Sequence, residues 1–422
     1  MKNHYIAIPL FADTNGRQSE APKCSMTHMH EVRYAKNPNV RPDPGTGLYD
    51  VKRLAELFDI KPATVRTLRQ RHQLPPSLSD DINGGAVWDA KTIWHEYDIP
   101  ASDKENEKID NNSNQSAVID LFAGCGGLSL GFIQAGFKVL AGYDNWDPAI
   151  RNYNHNLPSK ATKLDLSDVK LVEDTIKKAD LQFDGIIGGP PCQDFSSAGK
   201  RKEGMRADLT ERYAEIVTFF KPRFFLMENV ARAKNADVFK RAVTMLQECG
   251  YGVTKLVLNA DRCNVPQSRK RLFTVGFYKD NVNNEFERYL TRNLSEKPMT
   301  VRDYFGDSID TEFYYRHPRS YARRGIFSID EPSPTIRGVN RPIPRGYKAH
   351  ANDAGPIDKA RPLTTGERAR IQTFENYDFQ GSKTDQEQLI GNAVPVNLAA
   401  YVGEAINCFL RDIKNRKEER ER

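Results

Sequence analysis

The strongest constraint on this chain's fold is a repeated alternation of strand and helix patterns along its body. AVIDLFAG is an apolar run closed by glycine, LSLGFIQAG has helical spacing, and KVLAGYD is apolar again. The rhythm resumes through FDGIIGGPP, ERYAEIVTFFK and PRFFLMEN. Strands that are apolar throughout are buried on both faces. These βα repeats therefore predict an α/β fold, a doubly wound and mostly parallel sheet with ligands at the carboxyl ends of its strands.

At 422 residues the chain exceeds one ordinary core. ASDKENEKIDNNSNQS, residues 101–116, has almost no apolar side chain and reads as a flexible linker. It separates a module at 46–100 from the body, and residues 1–45 suggest no role. The body divides into 117–276, a segment at 277–355 without βα rhythm, a return at 356–410, and a charged tail at 411–422. Six scattered cysteines form no CxxC pair and no Cys/His cluster at zinc spacing, so neither a disulfide framework nor a metal is expected. No run of about twenty apolar residues occurs. The start MKNHYIAIPLFADTNG is too short and polar for a signal peptide, which predicts a soluble, intracellular protein away from membranes. The net charge of +6 permits a polyanionic partner.

In the small module, Val51, Leu54, Ala55 and Phe58 recur at helical spacing, DIKPATV opens a second helix, and Asn83-Gly84-Gly85 suggests a hairpin before a last helix near Ile93 and Trp94. Residues 51–73 carry Lys52, Arg53, Lys61, Arg66, Arg69 and Arg71 against Glu56 and Asp59. The run resembles a winged helix-turn-helix of the excisionase and MerR-like type, with Arg66, Arg69 and Arg71 on or near a DNA-reading helix. The alternative is a small helical domain with a solvated basic face.

Unusual residues cluster at the predicted strand ends. Gly124, Gly126 and Gly127 follow the first strand, and Asp144 ends the second, where a carboxylate can accept from ribose hydroxyls. This fits NAD, FAD or S-adenosyl-L-methionine. Leu130 occupies the place of the last glycine in a phosphate-binding GxGxxG, which favours the phosphate-free ligand. In GGPPCQDFSSAGK the glycines and prolines fix a non-helical backbone and direct Cys192 into the cleft, beside a polar loop. A thiol needs activation, and Arg269 and Arg271 are candidate cations. Glu228 follows five apolar residues and is either a helix cap or a buried active-site acid.

DLFAGCGGLSLGF, GGPPCQDFS, MENV, QSRKRLF and GNAVPVN occur in this order. Over residues 117 to about 410 they closely resemble the successive motifs of the bacterial cytosine-C5 DNA methyltransferases of restriction–modification systems. The resemblance implies that Cys192 adds to C6 of a cytosine flipped out of duplex DNA. Glu228 would hydrogen-bond or protonate N3, and Arg271 would bond O2 and hold Glu228. Arg269 would serve phosphate or the thiolate. The methyl donor S-adenosyl-L-methionine would lie among Asp120, Phe122, Gly124, Gly126 and Gly127, with Asp144 and Trp146 at its ribose and Asp165 and Leu166 at its adenine. Pro190, Leu209, Asn392 and Ala393 would complete that pocket.

Ser196, Lys200 and Gln267 are expected to touch DNA. Residues 277–355 occupy the place of a target-recognition domain; Arg337 and Arg341 belong to a basic, tyrosine- and proline-rich stretch there. Gly366 and Glu375 stand where the family has arginine and proline, and Asp144 where glutamate is commoner. Implied partners are duplex DNA, a cognate restriction endonuclease and, through residues 46–100, the protein's own promoter. A monomer in the bacterial cytoplasm, nucleoid-associated when on DNA, is expected. Rival readings are a tRNA cytosine methyltransferase, a regulator with a methyltransferase body, and a NAD-dependent dehydrogenase that would leave PPCQ and MENV unexplained.

Overall fold

In the computed structural model of the protein, the described residues are 48–70, 74, 77, 79–82, 85–89, 93, 115–191, 209–279, 285–318, 320 and 322–421. The chain divides into two compact units, residues 1–113 and 114–422.

The first unit contains β1 (Leu48–Asp50), helices Val51–Phe58 and Pro62–Gln70, β2 (Ser79–Ile82) and β3 (Gly85–Asp89). The strands form an antiparallel sheet in the order β1-β3-β2. Asp50 caps the first helix by accepting from the Arg53 N–H at 2.8 Å, and Asp59, with φ 53°, ends it. Pro62 then opens the second helix, where its missing N–H costs nothing. Leu54, Phe58, Val65, Leu68 and Trp88 share one buried core. Of the expected last helix, Ile93 alone is among the described residues, and it is buried and helical.

The second unit is built on β4 (Ala117–Leu121), β5 (Lys138–Asp144), β6 (Lys160–Lys163), β7 (Gly185–Gly188), β8 (Phe224–Val230), β9 (Tyr251–Asn259), the short β10 (Gln267–Ser268) and β11 (Lys270–Tyr278). Seven of them make one sheet in the order β6-β5-β4-β7-β8-β11-β9. β4 to β8 run parallel, while β11 is antiparallel to both β8 and β9. The period-two alternation of a strand splits the core into two layers. Phe224 packs with Phe132, Phe277 and Phe409 on one face, and its neighbour Phe225 packs with Tyr143, Tyr213 and Phe239 on the other.

Beyond β11, β12 (Phe313–Tyr315) pairs with β13 (Ile326–Ser328), and β14 (Ser333–Pro334) pairs with β10. β15 (Ala360–Pro362), from the returning segment, runs parallel to β12. Phe305, Tyr314, Phe327, Ile336, Leu363 and Phe374 lie in one hydrophobic cluster, so the segment before residue 356 and the segment after it share a core.

Helix Val396–Glu421 closes the unit. The expected charged tail is the end of this helix, and Ile413 within it is buried. Lys383–Arg416 is long and apolar enough to cross a membrane by length and composition, but 67% of that window is buried inside the protein, as in a core helix. The helix crosses Gly127–Gln134 at Gly131, where a Cβ would stand 2.4 Å from the Ala399 Cβ and 2.5 Å from the Val396 carbonyl oxygen.

Gly131→Ala should therefore cost about 1–3 kcal/mol of stability in urea denaturation, because the contact is with backbone that must move. Gly366→Ala meets nothing within 4 Å on an exposed helical turn. It should be neutral or stabilising by up to about 1 kcal/mol. Equal losses in the two variants would refute the close helix crossing.

Candidate active site

β5 and β6 lie on one side of β4, and β7 and β8 on the other, so the strand order reverses beside β4. At such a switch point the connecting loops diverge and leave a crevice at the carboxyl ends of the strands. A cavity of about 800 Å³ opens there.

Its floor is the turn after β4. Phe122, Gly124 and Gly126 have φ 60°, 56° and 86°, a left-handed course that only glycine adopts without strain. A Cβ on Gly124 would meet nothing within 4 Å, so the backbone there is open to a ligand. The Gly124 N–H donates to Asp144 Oδ2 at 2.8 Å, and the Trp146 N–H donates to Oδ1 at 2.9 Å. Asp144 thus ties the turn to the end of β5 while both oxygens keep a lone pair for a ligand. Burial raises its pKa, and these two N–H groups oppose the rise. Asp165 is held below the usual carboxylate range, first by the Ser167 hydroxyl and then by its amide.

Phe122, Gly127, Trp146, Leu166, Pro190, Leu209, Asn392 and Ala393 line the same cavity. Two carboxylates, aromatic walls and an open glycine backbone, without a phosphate cradle, fit the cationic nucleoside S-adenosyl-L-methionine. Asp120 and Gly126 do not line it. Asp120 is fully buried and accepts from the Ser129 hydroxyl at 2.6 Å, and burial pushes its pKa up to about 7. Gly126 is a packing glycine, since a Cβ would come within 3.0 Å of Leu157 and 2.9 Å of Tyr153.

The opposite wall comes from β8 and β11. Antiparallel register sets Arg271 against Val230 and Phe273 against Glu228. Arg271 and Glu228 are therefore diagonal neighbours on one face. Arg271 Nε reaches Glu228 Oε1 at 2.9 Å. Glu228 lies inside β8, and the short helix at Ala231–Asn235 has no side-chain cap, which removes the capping reading. Burial raises the Glu228 pKa, with Arg271 and then Arg269 pulling against it. A Cβ on Gly189 would lie 3.2 Å from Glu228 Oε2, and Asn229 Nδ2 donates to the Pro190 carbonyl at 3.3 Å. The GGPP turn and the acid thus share one wall, which continues to Pro191. Cys192, Ser196, Lys200 and Arg71 lie outside the described residues.

The spacing of Gln267, Arg269 and Arg271 puts all three on one face of the chain, yet each does something different. Arg269 lines the cavity but spends its guanidinium on the carbonyls of Ile336 at 3.1 Å, Gly391 at 3.1 Å and Ala393 at 3.0 Å. It is 1% exposed, so the expected phosphate contact is not available to it. Gln267 is also fully buried, accepting from the Ile336 N–H at 2.9 Å and donating to Gln372 Oε1 at 2.7 Å. It braces the protein interior and does not face DNA, a correction of the sequence expectation.

Arg337 donates to the His317 carbonyl, and Arg341 approaches the His317 ring at 3.5 Å. Arg66 is exposed and Arg69 half-buried on helix Pro62–Gln70 of the first unit. Asn145, Ser167, Asn229, Gln388 and Leu389 also line the cavity and were missed by sequence reasoning. The first three neighbour residues already singled out, whereas Gln388 and Leu389 carry no local signal.

Residues 116–408 match the family described as C-5 cytosine-specific DNA methylase. The chain is 52% identical over 295 residues to the type II methyltransferase M.HgiDI of Herpetosiphon aurantiacus, covering 69% of this chain and 94% of that one. It is 52% identical over 298 residues to M.HindV of Haemophilus influenzae, covering 70% and 97%. Among solved structures, the Entamoeba histolytica methyltransferase EhMeth aligns with TM-score 0.52 at 18% identity, covering 71% of this chain and 99% of that one, a likeness of fold. The chain belongs to the C-5 cytosine-specific DNA methylase family and is an S-adenosyl-L-methionine-dependent DNA cytosine-5 methyltransferase.

Proposed function

We propose that this enzyme methylates a cytosine flipped out of duplex DNA, through a covalent adduct of Cys192, as the protective half of a type II restriction–modification pair. The observation that carries the reading is that Glu228, gripped by Arg271, faces the same cavity as the glycine turn and Asp144. Inside a stacked duplex C5 and C6 are out of reach, so the base must leave the helix to enter such a cavity.

In this mechanism the Cys192 thiolate forms a bond to C6, and the electron pair of the C5–C6 double bond moves to C5. Glu228, whose pKa burial raises, holds its proton toward N3 and prevents negative charge from building up on the ring. Arg271, fixed by Glu228, directs its remaining N–H donors at O2. S-adenosyl-L-methionine, when bound, supplies an electrophilic methyl group on a sulfonium. Phe122, Trp146, Asp144, Asp165 and Leu166 hold it, with Asn392 and Ala393 closing the far end. Loss of the C5 proton to a base then reforms the C5–C6 double bond and expels the thiolate.

A second observation concerns residues 48–93, where two short helices meet at a three-residue connection and pack on a small sheet around their own core. This supports reading them as a winged helix-turn-helix module that binds the enzyme's own promoter through Arg66 and Arg69. The cognate endonuclease is a functional partner, and one active site per monomer suffices for a single base.

Cys192→Ala should abolish methyl transfer while S-adenosyl-L-methionine still binds, and a duplex carrying 5-fluorocytosine should trap the wild type covalently. Trapping that persists in the variant would sink the nucleophile assignment. Glu228→Ala should lower kcat by about 10²–10⁴-fold. Because a raised pKa keeps the proton at N3 only below that pKa, wild-type kcat should fall as pH rises through it. Glu228→Gln should flatten this limb, and an unchanged limb would assign it elsewhere. Removing residues 1–115 should leave methylation intact and abolish a gel shift of the promoter, as should replacing Arg66 and Arg69 together. A shift that survives both changes would end the repressor reading.

A further inference from the structure

A second concave surface, about 640 Å³, lies against the same chain segment as the catalytic cavity. Ser268 lines it, and the next residue, Arg269, lines the catalytic cavity. Side chains of successive residues point to opposite sides of the extended chain, so one stretch of backbone separates the groove from the cavity proposed to take the cytosine.

Four arginines line this groove, and their side chains are committed differently. Arg316 donates to the Thr335 carbonyl at 2.8 Å, and Arg337 donates to the His317 carbonyl. Arg324 pairs with Glu331 and stacks 4.3 Å over the Phe327 ring. These three are fixed parts of the wall and make it electropositive. Arg323 is exposed, and only its main-chain N–H, bonded to the Ser320 carbonyl, has a partner among the described residues. Asn352 is likewise exposed; its main-chain N–H donates to His350 Nδ1 at 3.1 Å, while its carboxamide has no partner among the described residues.

The two backbone segments that carry these side chains are tied together by Asp353. Asp353 accepts from the N–H groups of Gly325 at 2.9 Å and Ile326 at 3.0 Å, and from the His350 N–H and the Tyr347 hydroxyl, each at 2.8 Å. One carboxylate thus pins the loop bearing Asn352 to Gly325 and Ile326, two and three residues beyond Arg323. A contact to phosphate tolerates a loose side chain, whereas reading a base edge demands a fixed origin.

We propose that Arg323 and Asn352 read base edges of the recognition sequence next to the target cytosine. A guanidinium fork matches guanine O6 and N7, and a carboxamide matches adenine N6 and N7 in the major groove. This rests on the reading above, that the enzyme flips a cytosine in a specific duplex sequence.

The test uses the full chain and a panel of duplexes built on the site that bisulfite sequencing of host DNA assigns to the wild type, each with one base pair changed. Arg323→Ala and Asn352→Ala should each reduce discrimination at a single position, by about 10- to 100-fold, and at two different positions. Discrimination that stays at the wild-type level overturns the proposal. So does a uniform loss across all sequences with the salt slope lowered by about one, which marks a phosphate contact. A wild type that methylates without regard to sequence would instead overturn the reading beneath it, and this proposal with it.

Discussion

The buried guanidinium of Arg269 is the fastening on which the catalytic unit depends. Three carbonyls from two distant segments converge on it, Ile336 from the segment after β11 and Gly391 and Ala393 from the end and C-cap of helix Lys383–Asn392. Taking such a charge out of water costs several kcal/mol. Charge-assisted bonds of about 1.5–3 kcal/mol each from its two terminal nitrogens offset much of that, while Nε has no partner among the described residues. Gln267 and Gln372 extend the same network, the latter donating to the carbonyls of Ile390 and Ala393. The fit is tight enough that a Cβ on Gly391 would stand 2.1 Å from the Gly338 nitrogen. Segments about fifty residues apart in the chain therefore meet backbone to backbone.

That fastening explains why the acid and the cofactor floor face one another. Register then brings Arg271 to the diagonal of Glu228, since β11 runs antiparallel to β8. Arg269 stands close enough to hold the Glu228 pKa down, and Arg271 holds it down more strongly, yet burial still wins. A carboxyl kept in reach of two cations and still raised is suited to share a proton with a ring nitrogen. Asp144, at the far side of the cavity, is also raised by burial but is bonded by two main-chain N–H groups. The two acids differ in setting because their partners differ, one being a side-chain cation and the other the backbone.

Much of this was legible in the sequence. Continuous apolar strands mark the parallel sheet, and Phe122, Gly124, Asp144, Asp165, Glu228 and Arg271, all at strand ends in the sequence pattern, line one cavity. What escaped was tertiary. Spacing of two shows that Gln267, Arg269 and Arg271 share a face, but it cannot say that the first two are sealed inside while the third reaches a carboxylate. Asp120 has the right neighbours in sequence and points at Ser129, away from the cavity. Nothing local predicts Gln388, which arrives from a helix whose place is set by packing. Thr373, a β-branched residue at φ 59°, is likewise held by tertiary bonding, its hydroxyl accepting from the Asn397 N–H at 2.9 Å.

The helix that begins at Val396 crosses the first helix of the catalytic unit at Gly131. During synthesis this sets an order of events. The ribosome must translate about 270 residues beyond Gly131 before its partner surface exists, so the earliest βα pair waits exposed while the remainder is made. A nascent enzyme has no completed donor pocket, and modification of the host's DNA begins only after the message has been read almost to residue 400.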